Sequence, residues 1–187
     1  MRKNHMSKIQ QQSRRVKILF QLFFILTPIL VCFFWLTVET PYDFLRHTGI
    51  VQTSFNINQL TETPLTLTTR LFAILTSLIY CSIIMYALKI LIQLFGNYEN
   101  KHIFTLENAR CYQKLGYSVF YWVGGSIFYQ PLMTLILTFN NPPHHRMIMI
   151  SFQGIDFLTL LIGAIIVIIS WVMKEGYHLA DEQNYTI

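Results

Sequence analysis

The sequence predicts an all-α fold. It is a four-transmembrane-helix bundle with both termini cytoplasmic and a small extracytoplasmic cap between helices 1 and 2. Three observations lead there. Hydrophobic residues make up 53% of the 187 and charged residues only 12%, against roughly 25% charged in an average soluble domain. The apolar residues gather into four runs, each near the ~20 residues that cross a hydrocarbon core of roughly 30 Å. The cations gather in the segments that an even number of crossings places on one side.

Residues 1–17 form a basic tail with Arg2, Lys3, Lys8, Arg14, Arg15 and Lys17, and no acid precedes Glu39. The first span, about 18–38, is too long for a signal-peptide core and lacks a small-residue cleavage site after it, so it reads as an uncleaved anchor. Pro28 near its midpoint is expected to kink it. Glu39–Arg70 is the longest stretch outside the spans and reads as a small cap. One or two helical turns are expected in Pro41–His47, β character in Ile50–Ile57, and a helix start at Thr63-Pro64.

The second span, about 71–95, contains one charge, Lys89. Nineteen residues of helix separate it from Arg70, roughly 28 Å, so it reaches the opposite headgroups. In the third span, about 115–139, Gly124-Gly125 permit close helix approach and Pro131 permits a bend. Asn140–Arg146 is a tight turn. The fourth span, about 150–173, carries one acid, Asp156, near its edge, expected to pair with Arg70 or Arg146 or to face water. A tail, 174–187, follows. This topology puts eleven cations inside and three outside, a strong positive-inside bias. The net charge of +5 is therefore an orientation signal, and direct nucleic-acid binding is not expected.

No catalytic constellation appears: no phosphate loop, no HExxH and no GxSxG. The three cysteines form no CxxC and no disulfide framework. No enzyme, cofactor or metal site is expected. His144-His145 lack neighbouring ligands. Glu39, Asp43 and His47 would share a face only if that segment were helical. Trp35, Trp122 and Trp171 fall within spans and read as lipid-facing or interfacial.

The most patterned polar stretch is Gly96–Gly116. Thr105 is a candidate N-cap with Asn108 three residues on. Leu106, Ala109, Cys111, Tyr112 and Leu115 then mark an apolar side, and Glu107, Arg110 and Lys114 a polar one. In the tail, Gly176 fits a helix C′ position, although Tyr177–Gln183 could equally continue the helix. Tyr185-Thr186-Ile187 is β-prone and could pair with His102-Ile103-Phe104.

These two stretches, HIFTLENARCYQKLGY and EGYHLADEQNYTI, resemble the bacterial four-span membrane family catalogued as a domain of unknown function, number 2975. Its matching positions here are Ile103, Phe104, Thr105, Asn108, Leu115 and Gly116, then Gly176, Leu179, Glu182, Thr186 and Ile187. The resemblance carries no assigned activity. It implies a bacterial inner-membrane protein, surrounded by the lipid bilayer, with a small helix-turn-helix regulator as partner. The resulting expectation is a non-enzymatic regulator or sensor whose cytoplasmic loop and tail contact that partner through Phe104, Thr105, Asn108, Gly176 and Glu182. A small transporter or channel along the Gly124-Gly125 and Pro131 side, and an immunity or envelope-stress protein acting through the cap, are the alternatives.

Overall fold

The computed structural model describes residues 8–49 and 56–185. Six helices follow one another: α1 (Lys8–Thr37), α2 (Phe44–His47), α3 (Ile57–Leu60), α4 (Leu67–Glu99), α5 (Leu106–Thr138) and α6 (Gly154–Tyr185). Among the described residues there is no strand. Four helices, α1, α4, α5 and α6, are long and apolar enough to cross a membrane. The exposed large hydrophobic side chains on them are mostly Leu, Ile and Phe, as expected of surfaces facing lipid. The helices run through their prolines, Pro28 in α1 and Pro131 in α5.

The chain divides into two compact units, each containing parts of the long helices. The first comprises the early part of α1, the end of α4, the start of α5, and α6. Here α5 and α6 run antiparallel at close range. A Cβ added to Gly116 would stand 2.4 Å from Val167 Cγ2, 3.0 Å from the Gly163 carbonyl oxygen and 3.1 Å from the Val167 nitrogen. Gly163 in turn faces Val119. About two turns further on, the buried Ser170 hydroxyl donates to the Ala109 carbonyl at 2.8 Å. The glycine contact expected at Gly124 is not made, since a Cβ there meets no atom within 4 Å. Close approach depends on what faces the glycine, and Gly116 and Gly163 face each other's backbones.

The second unit is built around Phe34 and Trp35 of α1, Val38 just after it, Leu45 of α2, Ile57 and Leu60 of α3, Ala73 of α4, and Met133 and Leu137 of α5. Trp35 is not lipid-facing. It is 2% exposed, and its indole N–H donates to Ser77 Oγ at 2.8 Å. An apolar ring with one obligatory donor settles where a hydroxyl can receive it. Tyr80 stacks on Trp122 at 4.3 Å and on Tyr129 at 4.6 Å between centroids.

Of the elements expected between α1 and α4, one helical turn is present and the start of α4 is shifted. A helical turn forms only at Phe44–His47, after Glu39 adopts a left-handed φ of 57°. Glu39 and Asp43 are therefore not helical neighbours; instead the Glu39 N–H donates to Asp43 Oδ2. The side chain of His47 and residues 50–55, where β character was expected, lie outside the described residues; Ile57 opens α3. The start of α4 is set three residues later than Thr63-Pro64. The Thr66 hydroxyl accepts the Thr69 N–H and pairs with the Thr69 hydroxyl, an N-cap that leaves Pro64 in the extended lead. His145 Nδ1 pairs with Glu62 Oε1 at 2.5 Å, and no group of three or more metal-ligating side chains occurs among the described residues. Asp156 lies in the first turn of α6, where a carboxylate meets the positive end of the helix dipole.

Arg70 closes the end of α1. Its Nη1 donates to the carbonyls of Trp35, Leu36 and Val38 at 2.9, 3.2 and 2.8 Å. These are groups that a helix terminus leaves without an intrahelical donor. Removing a charged donor from such carbonyls costs about 2 kcal/mol. Arg70→Met is expected to lower unfolding stability by that amount in a denaturant titration of the solubilised protein. A change below about 0.5 kcal/mol would mean that water serves those carbonyls equally well.

Candidate docking site at the α4–α5 turn

The turn between α4 and α5 is held from both helix ends. The Lys101 N–H donates to the Tyr98 carbonyl at 3.1 Å and the His102 N–H to the Asn97 carbonyl at 2.9 Å. These are the two bonds of a Schellman motif, with Lys101 at the left-handed position that usually carries glycine. Its φ is 67°. A side chain there costs roughly 1 kcal/mol or more relative to glycine.

On the other side, Thr105 caps α5 as its spacing predicts. Its hydroxyl accepts the Asn108 N–H at 3.2 Å. The Asn108 side chain is fully buried and reaches back across the turn. Its Nδ2 donates to the carbonyls of His102 and Ile103 at 2.6 and 2.8 Å. Its Oδ1 accepts from Asn97 Nδ2 at 2.8 Å. A primary amide supplies both donors and an acceptor from one planar group, which neither Asp nor Ser could do here. Asn108 is therefore less a capping-box partner than the centre of the turn.

Two further pairs stitch the helices on either side. Gln93 Nε2 donates to Glu107 Oε1 at 2.8 Å, and the Tyr98 and Tyr112 hydroxyls pair at 2.9 Å. Beneath them Ile90, Leu94 and Cys111 form a small buried cluster with Tyr98, Tyr112 and Leu115 against it. Glu107, Arg110 and Lys114 are exposed, so the amphipathic reading of this stretch holds. The N-terminal extension of α1 joins the same unit through Glu99. Its carboxylate meets Lys17 Nζ at 3.1 Å, and its carbonyl accepts from Gln10 Nε2 at 3.0 Å.

Phe104 sits on this fixed turn and is 83% exposed. A hydrophobic residue just before an N-cap ordinarily packs on the first helical turns. Here the equivalent position, Ala109, is buried against other partners, and Phe104 projects outward. Phe104, Thr105 and Asn108 are thus brought together, with two consecutive roles in holding the turn and one outward-facing ring.

A family model described as a protein of unknown function (DUF2975) matches residues 22–187. The chain belongs to this family. No curated protein and no solved structure matches it. In this DUF2975 member the match runs through all four long helices, the α4–α5 turn and the C-terminal segment.

Gly176 and Glu182 lie elsewhere, on the end of α6. Gly176 is helical and does not terminate α6, which continues to Tyr185. A glycine costs about 1 kcal/mol inside a helix, too little to stop one already propagating from a long upstream segment. Tyr185 is helical rather than extended; Thr186 and Ile187, and hence the expected strand clasp, lie outside the described residues. Sequence reasoning missed Asn97, Tyr98 and Lys101. The available signal for the first was an Asn at the end of one apolar run and another at the start of the next.

Proposed function

We propose that this chain is a non-enzymatic regulator or sensor of the bacterial inner membrane. Its termini and α4–α5 turn lie on the cytoplasmic side, and the turn and C-terminal segment contact a cytoplasmic partner. The family resemblance suggests a small helix-turn-helix regulator for that role. The observation that carries the reading is Phe104, an exposed aromatic on a turn tied by side-chain and backbone hydrogen bonds. Aromatic anchors on rigid supports are what interface hot spots consist of, because little entropy is lost on docking.

Position supports a soluble partner over the bilayer. Ten residues of helix carry the chain from Lys89, at the membrane edge, to Glu99, about 15 Å further. Lys101, held at a glycine-favouring φ of 67°, supports a role for its side chain as well.

Phe104→Ala is expected to reduce co-purification of the cytoplasmic partner at least about tenfold, the loss typical of a hot-spot truncation. Deleting Asp181–Ile187 is expected to have a similar effect, with the protein still in the membrane in both cases. Pull-down from native membranes after crosslinking measures this. Unchanged recovery with both variants would remove the reading.

A further inference from the structure

We infer that the outward face of the first turns of α1 binds an anionic phospholipid, with Arg15 on its phosphate and Leu19 and Leu22 along its chains. The inference rests on the long helices crossing a bilayer. It involves neither the α4–α5 turn nor any cytoplasmic partner.

The start of α1 carries Lys8, Arg14, Arg15 and Lys17, and no acid precedes Glu39. One face of this stretch packs on the end of α4. Gln10 Nε2 donates to the Glu99 carbonyl at 3.0 Å, Ser13 is buried, and the Phe20 ring meets Phe95 at 5.6 Å between centroids. On the same side the Glu99 carboxylate takes Lys17 Nζ at 3.1 Å and lies 4.0 Å from Arg14 Nε. One carboxylate thus already serves two cations.

Arg15 is on the other side. Two residues of helix turn it about 200° from Lys17. It is exposed and has no ion pair among the described residues. Lys8, Gln12, Arg15, Leu19 and Leu22 recur at alternating spacings of four and three, which is one stripe of an α-helix. All five are exposed, Leu19 by 47% and Leu22 by 55%.

The stripe changes character within one turn. Leu19 and Leu22 stand on a helix long and apolar enough to cross a membrane, and so face acyl chains. Arg15 lies about 6 Å from Leu19 along the axis, which sets its guanidinium among the headgroups. Whatever covers this face must offer an anion and an apolar chain side by side. A soluble anion or an acidic peptide offers only the first. A zwitterionic lipid offers both, but its own cation already balances its phosphate. An anionic phospholipid leaves the phosphate to the guanidinium fork, which holds two of its oxygens at once. Lys8 stands about 10 Å further out and adds a field that salt screens.

The test titrates the full chain in mild-detergent micelles with phosphatidylglycerol and counts retained lipid by native mass spectrometry. Phosphatidylglycerol is expected to be retained better than phosphatidylcholine with the same chains. Arg15→Gln should lower its retention about fivefold, the loss that goes with one cation at headgroup level. Arg146→Gln removes the same charge from the connection between α5 and α6 and should change retention less than about twofold, because charges beyond a Debye length are screened. Equal retention of the two lipids would overturn the inference, as would a loss in Arg15→Gln no larger than that in Arg146→Gln. Displacement of the lipid by inorganic phosphate would also overturn it, since a free anion would then suffice. The readout contains no protein partner, so its failure leaves the docking reading untouched.

Discussion

Gly116→Ala is expected to destabilise the protein by about 3 kcal/mol, the upper range for an added methyl in a packed interior. The added carbon would lie 2.4 Å from Val167 Cγ2, and that methyl can rotate away. It would also lie 3.0 Å from the Gly163 oxygen and 3.1 Å from the Val167 nitrogen, and backbone atoms of a continuous helix cannot. The two helices must separate by a few tenths of an ångström or more. The separation is felt where Gly163 meets Val119 and where Ser170 donates to the Ala109 carbonyl. Helix association within lipid depends on such close packing, because lipid tails are as apolar as the side chains. Adding Val167→Ala should recover only the side-chain part of the loss. Gly124→Ala, inside a helix where a Cβ meets nothing within 4 Å, should instead leave stability unchanged or raise it by up to about 1 kcal/mol. Unfolding by denaturing detergent of the protein in mild micelles measures all three. Full recovery in the double variant would show that no backbone contact limits the approach.

The contrast between Gly116 and Gly124 shows what was legible in the sequence and what was not. Length and apolarity announced the four long helices, because in lipid a spanning segment must satisfy its own backbone and helix is the local solution. The cap at Thr105 and the two faces of early α5 were also local facts, readable from spacing alone. Which glycine makes a contact is a tertiary fact. Gly124 has a glycine neighbour in its own span and makes no close contact, whereas the pair that does, Gly116 and Gly163, sits on different helices. The same holds for Trp35, whose indole N–H finds Ser77, and for Arg70, which closes a helix distant in sequence. Lys101 was hidden for another reason: the helix-ending signal is glycine, and the chain uses a lysine in the left-handed conformation instead.

Asn108→Ala is expected to open the α4–α5 turn while leaving the long helices in place. The substitution removes three side-chain hydrogen bonds, to His102, Ile103 and Asn97. At about 1 kcal/mol each the turn loses about 3 kcal/mol of local stability, or roughly a hundredfold in its opening equilibrium. Amide hydrogen exchange over residues 100–107 should accelerate by that factor. Trypsin should cut after Lys101 correspondingly faster. Exchange in the membrane-spanning parts of α4 and α5 should not change, since their backbone bonds are made within each helix. Thr105→Ala loses one capping bond and should accelerate exchange only about fivefold. Asn108→Asp should resemble the alanine variant, because a carboxylate facing two carbonyls accepts where a donor is required. If exchange in Asn108→Ala rises less than about threefold, the Schellman bonds of Lys101 and His102 suffice to hold the turn. The rigidity beneath Phe104 would then come from backbone alone, and Asn108 would owe its burial to packing between Asn97 and the start of α5.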